Sequence, residues 1–193
     1  LIYPASPSQQ HTDLSSFLSY AARTNLSPNS TVYIGTHFEY TALNALASYG
    51  FSLRRVGGSS DYGIDLLGTW SLPGLLPRPL RVLAQCKAVQ RPGPHLVREL
   101  EGAFVGAPAG WRGSSGVLGL LVTERAATKG IRDALARSKW PMGFVACSRA
   151  GKVEQVLWNE RAQGEGLEGV LVGKRYTATG EREVALSWNG GSL

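Results

Sequence analysis

The chain has 193 residues, the size of one domain with at most a small addition, and is long enough to bury a substantial core. Its composition of 43% hydrophobic and 18% charged residues excludes a disordered chain, and no apolar run is long enough for a membrane span. The formal net charge of +6 favours a polyanionic partner. Cys86 and Cys147 lie in apolar segments, so we expect buried thiols rather than a disulfide, as in a reducing compartment.

The predicted elements follow the order α-α-β-β-β-α-β-α-β. Helices are predicted over 12–25, 36–49, 94–104 and 126–138, and strands over 51–56, 64–70, 80–87, 116–123 and 143–147. Three consecutive strands followed by helical crossovers predict an α/β fold with a mixed sheet flanked by helices. We interpret 1–30 as an N-terminal helical arm, 31–150 as the core, and 151–193 as a small C-terminal β extension. The extension is predicted from short alternating segments at 153–158, 169–172 and 183–188.

Gln85 and Lys87 are two polar residues in an otherwise apolar predicted strand. Residues i and i+2 of a strand share a face, so these side chains emerge together while Cys86 points to the other face. A lysine is unusual there because burying an unpaired ammonium group is costly. The alternative is that the strand ends in solvent and that Lys87 marks its rim.

Asp65 is a lone carboxylate between Ile64 and two leucines in the preceding predicted strand. Taken alone, Asp61 and Asp65 are explained well as acceptors in an Asp-Gly turn. With Gln85 on the next strand, Asp65 becomes a candidate oxygen ligand of a hard cation such as Mg²⁺, which takes few protein ligands.

Glu39 has two explanations that do not exclude each other. Thr36-x-x-Glu39 has the spacing of a capping box, in which Glu39 reaches back to the start of its helix. Alternatively, Glu39 lies one turn into a helix beside the sheet and faces the metal directly or through water.

Arg125, Lys129 and Arg132 have the i, i+4, i+7 spacing of a basic helical face close to the end of the predicted strand 116–123. Such a face would neutralise several phosphates and make binding dependent on salt. The alternative is an ordinary solvated helix face. Arg54 and Arg55 are further candidate phosphate contacts.

The ordered set of motifs resembles the Mrr-like branch of the PD-(D/E)xK restriction-endonuclease superfamily over residues 33–147. The motifs are Gly35, Phe38-Glu39, Gly50-Phe51, Asp61-x-Gly63-Ile64-Asp65 and Gln85-Cys86-Lys87. The resemblance implies an αβββαβ core and Mg²⁺- or Mn²⁺-dependent cleavage of DNA, with RNA as a further possible substrate.

The resemblance also implies a role for each site residue. Asp65 would be the principal metal ligand, Gln85 the second, and the backbone carbonyl of Cys86 the third. Lys87 would orient the attacking water, and Glu39 would be the acidic residue carried by a helix. Gln85 replaces the acidic residue of the commonest superfamily pattern, which removes one negative charge and leaves open a nucleic-acid-binding or scaffold protein without turnover.

The whole chain is also similar to a family of fungal mitochondrial proteins, the required for respiratory growth protein 7 family. This resemblance implies a mitochondrial location and a part in the maintenance of mitochondrial DNA. Since nucleases that cut both strands often pair two sites, a homodimer is a further expectation. The first residue is Leu1 rather than Met, so we expect a trimmed sequence whose targeting peptide lies outside it.

Overall fold

The computed structural model of the chain describes residues 1–57, 63–113 and 115–193. The helices are α1 (Leu14–Arg23), α2 (Thr31–Ala47), α3 (His95–Gly106), α4 (Lys129–Arg137) and the short α5 (Glu160–Ala162), which continues into a π-helical turn (Gln163–Leu167). The strands are β1 (Phe51–Arg55), β2 (Leu66–Trp70), β3 (Leu80–Lys87), β4 (Val117–Thr123), β5 (Met142–Cys147), β6 (Val153–Trp158), β7 (Leu171–Tyr176), β8 (Arg182–Trp188) and β9 (Gly191–Ser192). The predicted turn residue Asp61 lies outside the described residues.

Strands β1 to β6 form one mixed sheet in sequence order. Strands β1, β2 and β3 pair antiparallel, β4 and β5 add in parallel, and β6 closes the far edge antiparallel to β5. Helix α3 makes the crossover from β3 to β4, and α4 makes the next one. The structure therefore confirms the predicted α/β fold with a mixed sheet flanked by helices. Because β6 belongs to this sheet, the separate antiparallel sheet of β7, β8 and β9 begins only at Leu171.

The sheet is covered on both faces, which is why its central strands read as nearly continuous apolar runs. Along β3, Val82 and Ala84 pack into a core that includes Phe38 of α2. Leu83, between them, packs on the opposite face against a core that includes Leu100 of α3. Because side chains alternate along the strand, Gln85 and Lys87 emerge on the α3 face of the sheet and Cys86 on the α2 face.

Helix α2 begins earlier than predicted, and the capping-box explanation of Glu39 is wrong. Ser30 is the N-cap, and its hydroxyl accepts a hydrogen bond from the Tyr33 amide (3.2 Å). Thr36 and Glu39 therefore lie in the helix interior. The low intrinsic helix propensity of Thr31–Gly35 hid the true start, and tertiary packing overrides such preferences.

Helix α4 begins at Lys129, with Thr128 as its N-cap, rather than at residue 126. Arg125 therefore lies in the turn before the helix, where the Thr123 hydroxyl donates to its carbonyl (2.6 Å). The predicted single helical face of three basic residues is wrong for Arg125. Lys129 and Arg132 do lie on α4, and all three side chains are exposed.

The peripheral elements pack on the α2 side. The ring of Phe17 on α1 is buried, and the His11 ring is hydrogen bonded to the Tyr40 hydroxyl of α2 (2.9 Å). Val184 of the small sheet is buried in the same core as α2, and its carbonyl accepts from Tyr49 (3.1 Å). Within the described part of the chain, no helix is both long and apolar enough to cross a membrane.

The two cysteines are free thiols, as the sequence predicts. Burial and, to a smaller extent, the negative charge of nearby Glu154 together raise the pKa of Cys147 to about 11. Cys147 is therefore a protonated core residue at neutral pH.

Candidate metal site

Asp65 lies where β2 begins and is fixed by backbone contacts on both sides. Its amide donates to the Ala84 carbonyl of β3 (2.9 Å), while its own carbonyl accepts from the amides of Val56 (2.8 Å) and Gly57 (3.0 Å). Two successive amides donating to one carbonyl is the arrangement of a β-bulge, in which Val56 and Gly57, after β1, are the bulged residues and Asp65 is the single residue opposite them. The Asp65 carboxylate reaches across to β3, where Oδ2 accepts from the Cys86 amide (2.7 Å).

Gln85 lies beside Asp65, because the preceding Ala84 is the register partner of Leu66. Its side chain is only 3% exposed, and Oε1 has no hydrogen-bond partner within the part of the chain that the structure describes. An unpaired buried acceptor costs about 1–3 kcal/mol. A cation beside Asp65 would remove this cost, so these residues fit a divalent metal.

The amide of Gln85 is confined by Gly63. A Cβ atom at Gly63 would lie 2.9 Å from Gln85 Nε2, and the glycine φ of +76° is one that other residues rarely adopt. The glycine of the sequence motif therefore gives the Gln85 side chain its room.

Lys87 is the last residue of β3, and its side chain is one-third exposed. Its Nζ lies 3.1 Å from Oε2 of Glu99 on α3, and the Glu99 side chain is 46% exposed. Lys87 therefore lies at the rim of the strand, as the alternative interpretation of this residue proposed. An ion pair so exposed is weak, about 0–1 kcal/mol, so exchanging Glu99 for a phosphate group costs little.

Glu39 forms an ion pair with Arg55 of β1, and both side chains are largely buried (12% and 13% exposed). Arg55 also donates to the Thr36 hydroxyl (3.4 Å), and its guanidinium group lies over the Tyr40 ring (5.6 Å). Arg55 is therefore held inside the protein rather than displayed toward a nucleic acid.

The carboxylates of Asp65 and Glu39 both act on Cys86. Burial raises the pKa of the Cys86 thiol well above its usual range, and the negative charges of Asp65 and then Glu39 raise it further. Asp65 and Glu39 thus act on Cys86 through their charge, whereas Gln85 and Lys87 emerge from the opposite face of β3.

This arrangement differs from a metal centre built only from charged or imidazole ligands. In residues 1–57, 63–113 and 115–193, no three His, Cys, Asp or Glu side chains form a group that could hold a metal. A metal here would depend on Asp65, the Gln85 amide oxygen, the Cys86 carbonyl and water. Magnesium suits such a set because it keeps several waters.

A second polar group, not foreseen from the sequence, follows β4. Glu124 is 7% exposed; its Oε1 accepts from Arg149 Nε (2.6 Å) and its Oε2 from Gln90 Nε2 (3.3 Å). Gln90 Oε1 in turn accepts from Nε (3.1 Å) and Nη2 (2.7 Å) of Arg125. The sequence did contain a signal for Glu124, which is a lone carboxylate directly after an apolar strand. Asp65 is likewise a lone carboxylate directly before one.

The fold and the site together define an α/β protein whose acidic and amide side chains meet between two strands of a mixed sheet. A family model described as required for respiratory growth protein 7 matches residues 30–78 and 74–176, and the chain belongs to that family.

Two curated relatives extend this finding. The chain is 35% identical over 156 residues to a Schizosaccharomyces pombe protein called uncharacterized protein C824.03c, mitochondrial, covering 79% of the chain and 61% of the relative. It is 37% identical over 113 residues to the Eremothecium gossypii protein required for respiratory growth protein 7, mitochondrial, covering 39% of the chain and 47% of the relative. The chain thus spans less than two thirds of the length of either relative. Both names confirm the predicted mitochondrial localisation. No solved structure matches the chain.

Proposed function

We propose that this chain is a metal-dependent nuclease that hydrolyses DNA phosphodiester bonds in mitochondria, with a restriction-endonuclease-like core of the Mrr type. The observation that carries the proposal is the buried Oε1 of Gln85 next to Asp65, an acceptor for which residues 1–57, 63–113 and 115–193 supply no hydrogen-bond partner. A protein that leaves such an acceptor unpaired loses stability unless something else binds there.

Each residue then has a defined part. Asp65, Gln85 Oε1 and the Cys86 carbonyl would hold Mg²⁺ or Mn²⁺, which supplies Lewis-acid activation of water and stabilises charge on the phosphate. Lys87, released from Glu99, orients the attacking water and neutralises the phosphate as its negative charge grows. Glu39 is held by Arg55 at the rear of the site, where its charge reaches Cys86.

Arg125, Lys129 and Arg132 are exposed and would contact the DNA backbone. Each phosphate neutralised by such a cation releases counterions, so binding would weaken steeply with salt. This prediction separates DNA binding from the chemistry of the metal site.

The second candidate function is nucleic-acid binding without turnover. The ion pairs of Glu39 with Arg55 and of Lys87 with Glu99 favour it, because these two predicted site residues are already engaged in ion pairs. Gln85 favours it too, since an amide ligand attracts a divalent metal less strongly than a carboxylate.

The deciding experiment incubates supercoiled and branched DNA with the protein and Mg²⁺ or Mn²⁺. Asp65→Asn and Lys87→Met are expected to reduce cleavage by at least about 100-fold, as loss of a preorganised charge does in other active sites. Lys174→Met, the same change at an exposed position on β7, should leave cleavage unaltered. Cleavage that persists in both site variants contradicts the proposed site.

Two further arms separate the alternatives. Gln85→Glu restores a carboxylate and should lower the metal concentration needed for cleavage. Salt-sensitive binding without cleavage by the wild type or by Gln85→Glu, with either metal, supports the binding protein instead. RNA of the same sequence tests whether ribose substrates are also cut.

A further inference from the structure

A cleft of about 290 Å³ opens between the first half of α2 and the segments that follow β4 and β5. The residues that matter for its chemistry are Tyr33 and His37 on α2, and Glu124 and Arg149 opposite them. The volume is at the lower end of the range for small-molecule sites, which is the size of a single flat ring system with its substituents.

One side of the cleft is aromatic. The rings of Tyr33 and His37 stack nearly parallel, with centroids 5.8 Å apart and an angle of 19° between their planes. Both side chains are partly exposed. The His37 ring is held by the Thr41 hydroxyl, which lies 3.3 Å from Nδ1. Such a surface suits another flat aromatic ring, and nucleobases stack on aromatic side chains whatever their sequence.

The opposite side is polar and charged. The Glu124 carboxylate is nearly buried, while the side chain of its partner Arg149 is 57% exposed and lines the cleft. A buried acceptor beside an exposed donor matches the mixed donors and acceptors on the edge of a nucleobase.

Arg125 is linked to Glu124 of the cleft through Gln90 and is a candidate contact for a phosphate group. Gln90 joins Arg125 to Glu124, and it holds the guanidinium group through Nε and Nη2. Since arginine has five N–H donors, this grip leaves the Nη1 side of the fork for a phosphate group. The guanidinium group is also fixed in advance, so little of its freedom is lost on binding.

The cleft and Lys87 lie at the same end of strands β3 and β4. Thr123, the residue before Glu124, is the register partner of Lys87 across the parallel β3–β4 pair, and neighbouring strands lie about 4.8 Å apart. Helix α2 carries His37 of the cleft and, two residues later, Glu39 of the site. The cleft is on the α2 face of the sheet and Lys87 emerges on the α3 face, so a nucleotide in the cleft would be joined to the phosphate at Lys87 around the ends of β3 and β4.

We propose that this cleft receives an unpaired nucleobase, so that the substrate is nucleic acid with an unpaired nucleotide beside the cleaved bond. The inference rests on the proposed function and deepens it by naming the substrate class. A base in an intact duplex reaches the cleft only after unpairing and unstacking, which is costly, whereas a single strand or the unpaired arm of a branched substrate pays no such cost.

The test compares binding of a single-stranded oligonucleotide with a duplex of the same length, in EDTA so that neither is cut. Wild-type protein should bind the single strand at least tenfold more tightly at equal salt. One abasic nucleotide, moved stepwise along the single strand, should weaken binding severalfold at one register. Equal binding of the two substrates, or no effect of an abasic nucleotide at any position, contradicts the inference.

Variants of the cleft residues test whether the preference for single strands arises there. Tyr33→Leu and His37→Leu should each weaken single-strand binding about tenfold and duplex binding less than twofold, while Tyr176→Leu on β7 should change neither. Equal weakening of both substrates overturns the assignment of the cleft. The wild-type abasic series remains decisive if Tyr33→Leu, whose ring also packs against Phe17, fails to fold.

The two levels of the proposal fail differently. If cleavage depends on Asp65 but is equal on paired and unpaired substrates, only the assignment of the cleft as a nucleobase site is contradicted. Absence of any nucleic-acid binding or cleavage overturns the proposed function and the cleft with it.

Discussion

The ion pair between Glu39 and Arg55 offers a stability test of the site's architecture. Both side chains are only about one-eighth exposed, since the structure gives 12% and 13%. Removing one partner of a fully buried pair costs about 3–5 kcal/mol because the remaining charge is stranded. Allowing for residual exposure and for the hydroxyl of Thr36, which still accepts from Arg55, we expect Glu39→Gln to lower the free energy of unfolding by about 2–3 kcal/mol.

A double-mutant cycle separates the pair from its surroundings. Arg55→Met removes the other charge, and the double variant removes both. If the two groups stabilise each other, the double variant should lose at least about 1 kcal/mol less than the sum of the single losses. Equilibrium urea unfolding at pH 7 in EDTA measures all four proteins without a contribution from metal.

The exposed pair at the same site is the matched control. Glu99→Gln should change the free energy of unfolding by less than about 0.5 kcal/mol, because its pair with Lys87 is partly exposed to solvent. A Glu39→Gln protein as stable as the wild type, or strictly additive losses in the cycle, would refute the view that Arg55 holds Glu39 in place.

Three other predictions concern packing and titration. Gly63→Ala should displace the Gln85 amide and lower cleavage at least tenfold. Because the φ of Gly63 is positive, the variant should also lose about 1–2 kcal/mol of unfolding free energy in urea. Unchanged activity would contradict the contact between Gly63 and Gln85. Asn159→Ala should lower the free energy of unfolding by about 3–4 kcal/mol in the same assay, because the buried side chain makes four hydrogen bonds to backbone groups. A loss below about 1 kcal/mol would show that these hydrogen bonds do not stabilise the fold. The folded pKa of Cys147 is raised to about 11, so its stabilising contribution is present below the unfolded value of 9.0 and is lost as the pH rises toward 11. Cys147→Ala should lose less stability between these pH values than the wild type, and identical pH profiles would show that the thiol ionises freely.

The strands were predictable because their patterns are local. The bounds of β3 (Leu80–Lys87) and β6 (Val153–Trp158) agree with prediction to the residue, since Pro79 and Gly151 precede them; β3 is a mostly apolar run and β6 a short alternating segment. The partner of β6 was not predictable, because joining β5 in the main sheet is a long-range choice. Its sequence alone reads equally well as the start of a separate extension.

The first residues of the helices were harder to predict from the sequence. Ser30 caps α2 ahead of a segment that is weak in helix propensity, so Thr36 with Glu39 supplied a false capping box. The displaced start changed the meaning of Glu39, which is held from β1 by Arg55 rather than serving its own helix.

The candidate site shows the same division between local and long-range information. Asp65, Gln85 and Lys87 were recognisable because each is a polar residue in or beside an apolar strand. The ion-pair partners, Glu99 for Lys87 and Arg55 for Glu39, come from other elements of the fold, and no spacing rule in the sequence predicts them. Gly63 was visible in the motif, but its contact with the Gln85 amide was not.

The central claim is that one divalent metal binds between Asp65 and Gln85, and direct metal binding tests it most simply. Titrating Mn²⁺ into the protein while the free ion is followed by electron paramagnetic resonance gives the number of ions bound per chain. We predict one saturable ion per chain in the wild type, lost in Asp65→Asn and bound more tightly in Gln85→Glu. Equal Mn²⁺ binding by the wild type and Asp65→Asn, or no saturable binding by either the wild type or Gln85→Glu, would contradict the account.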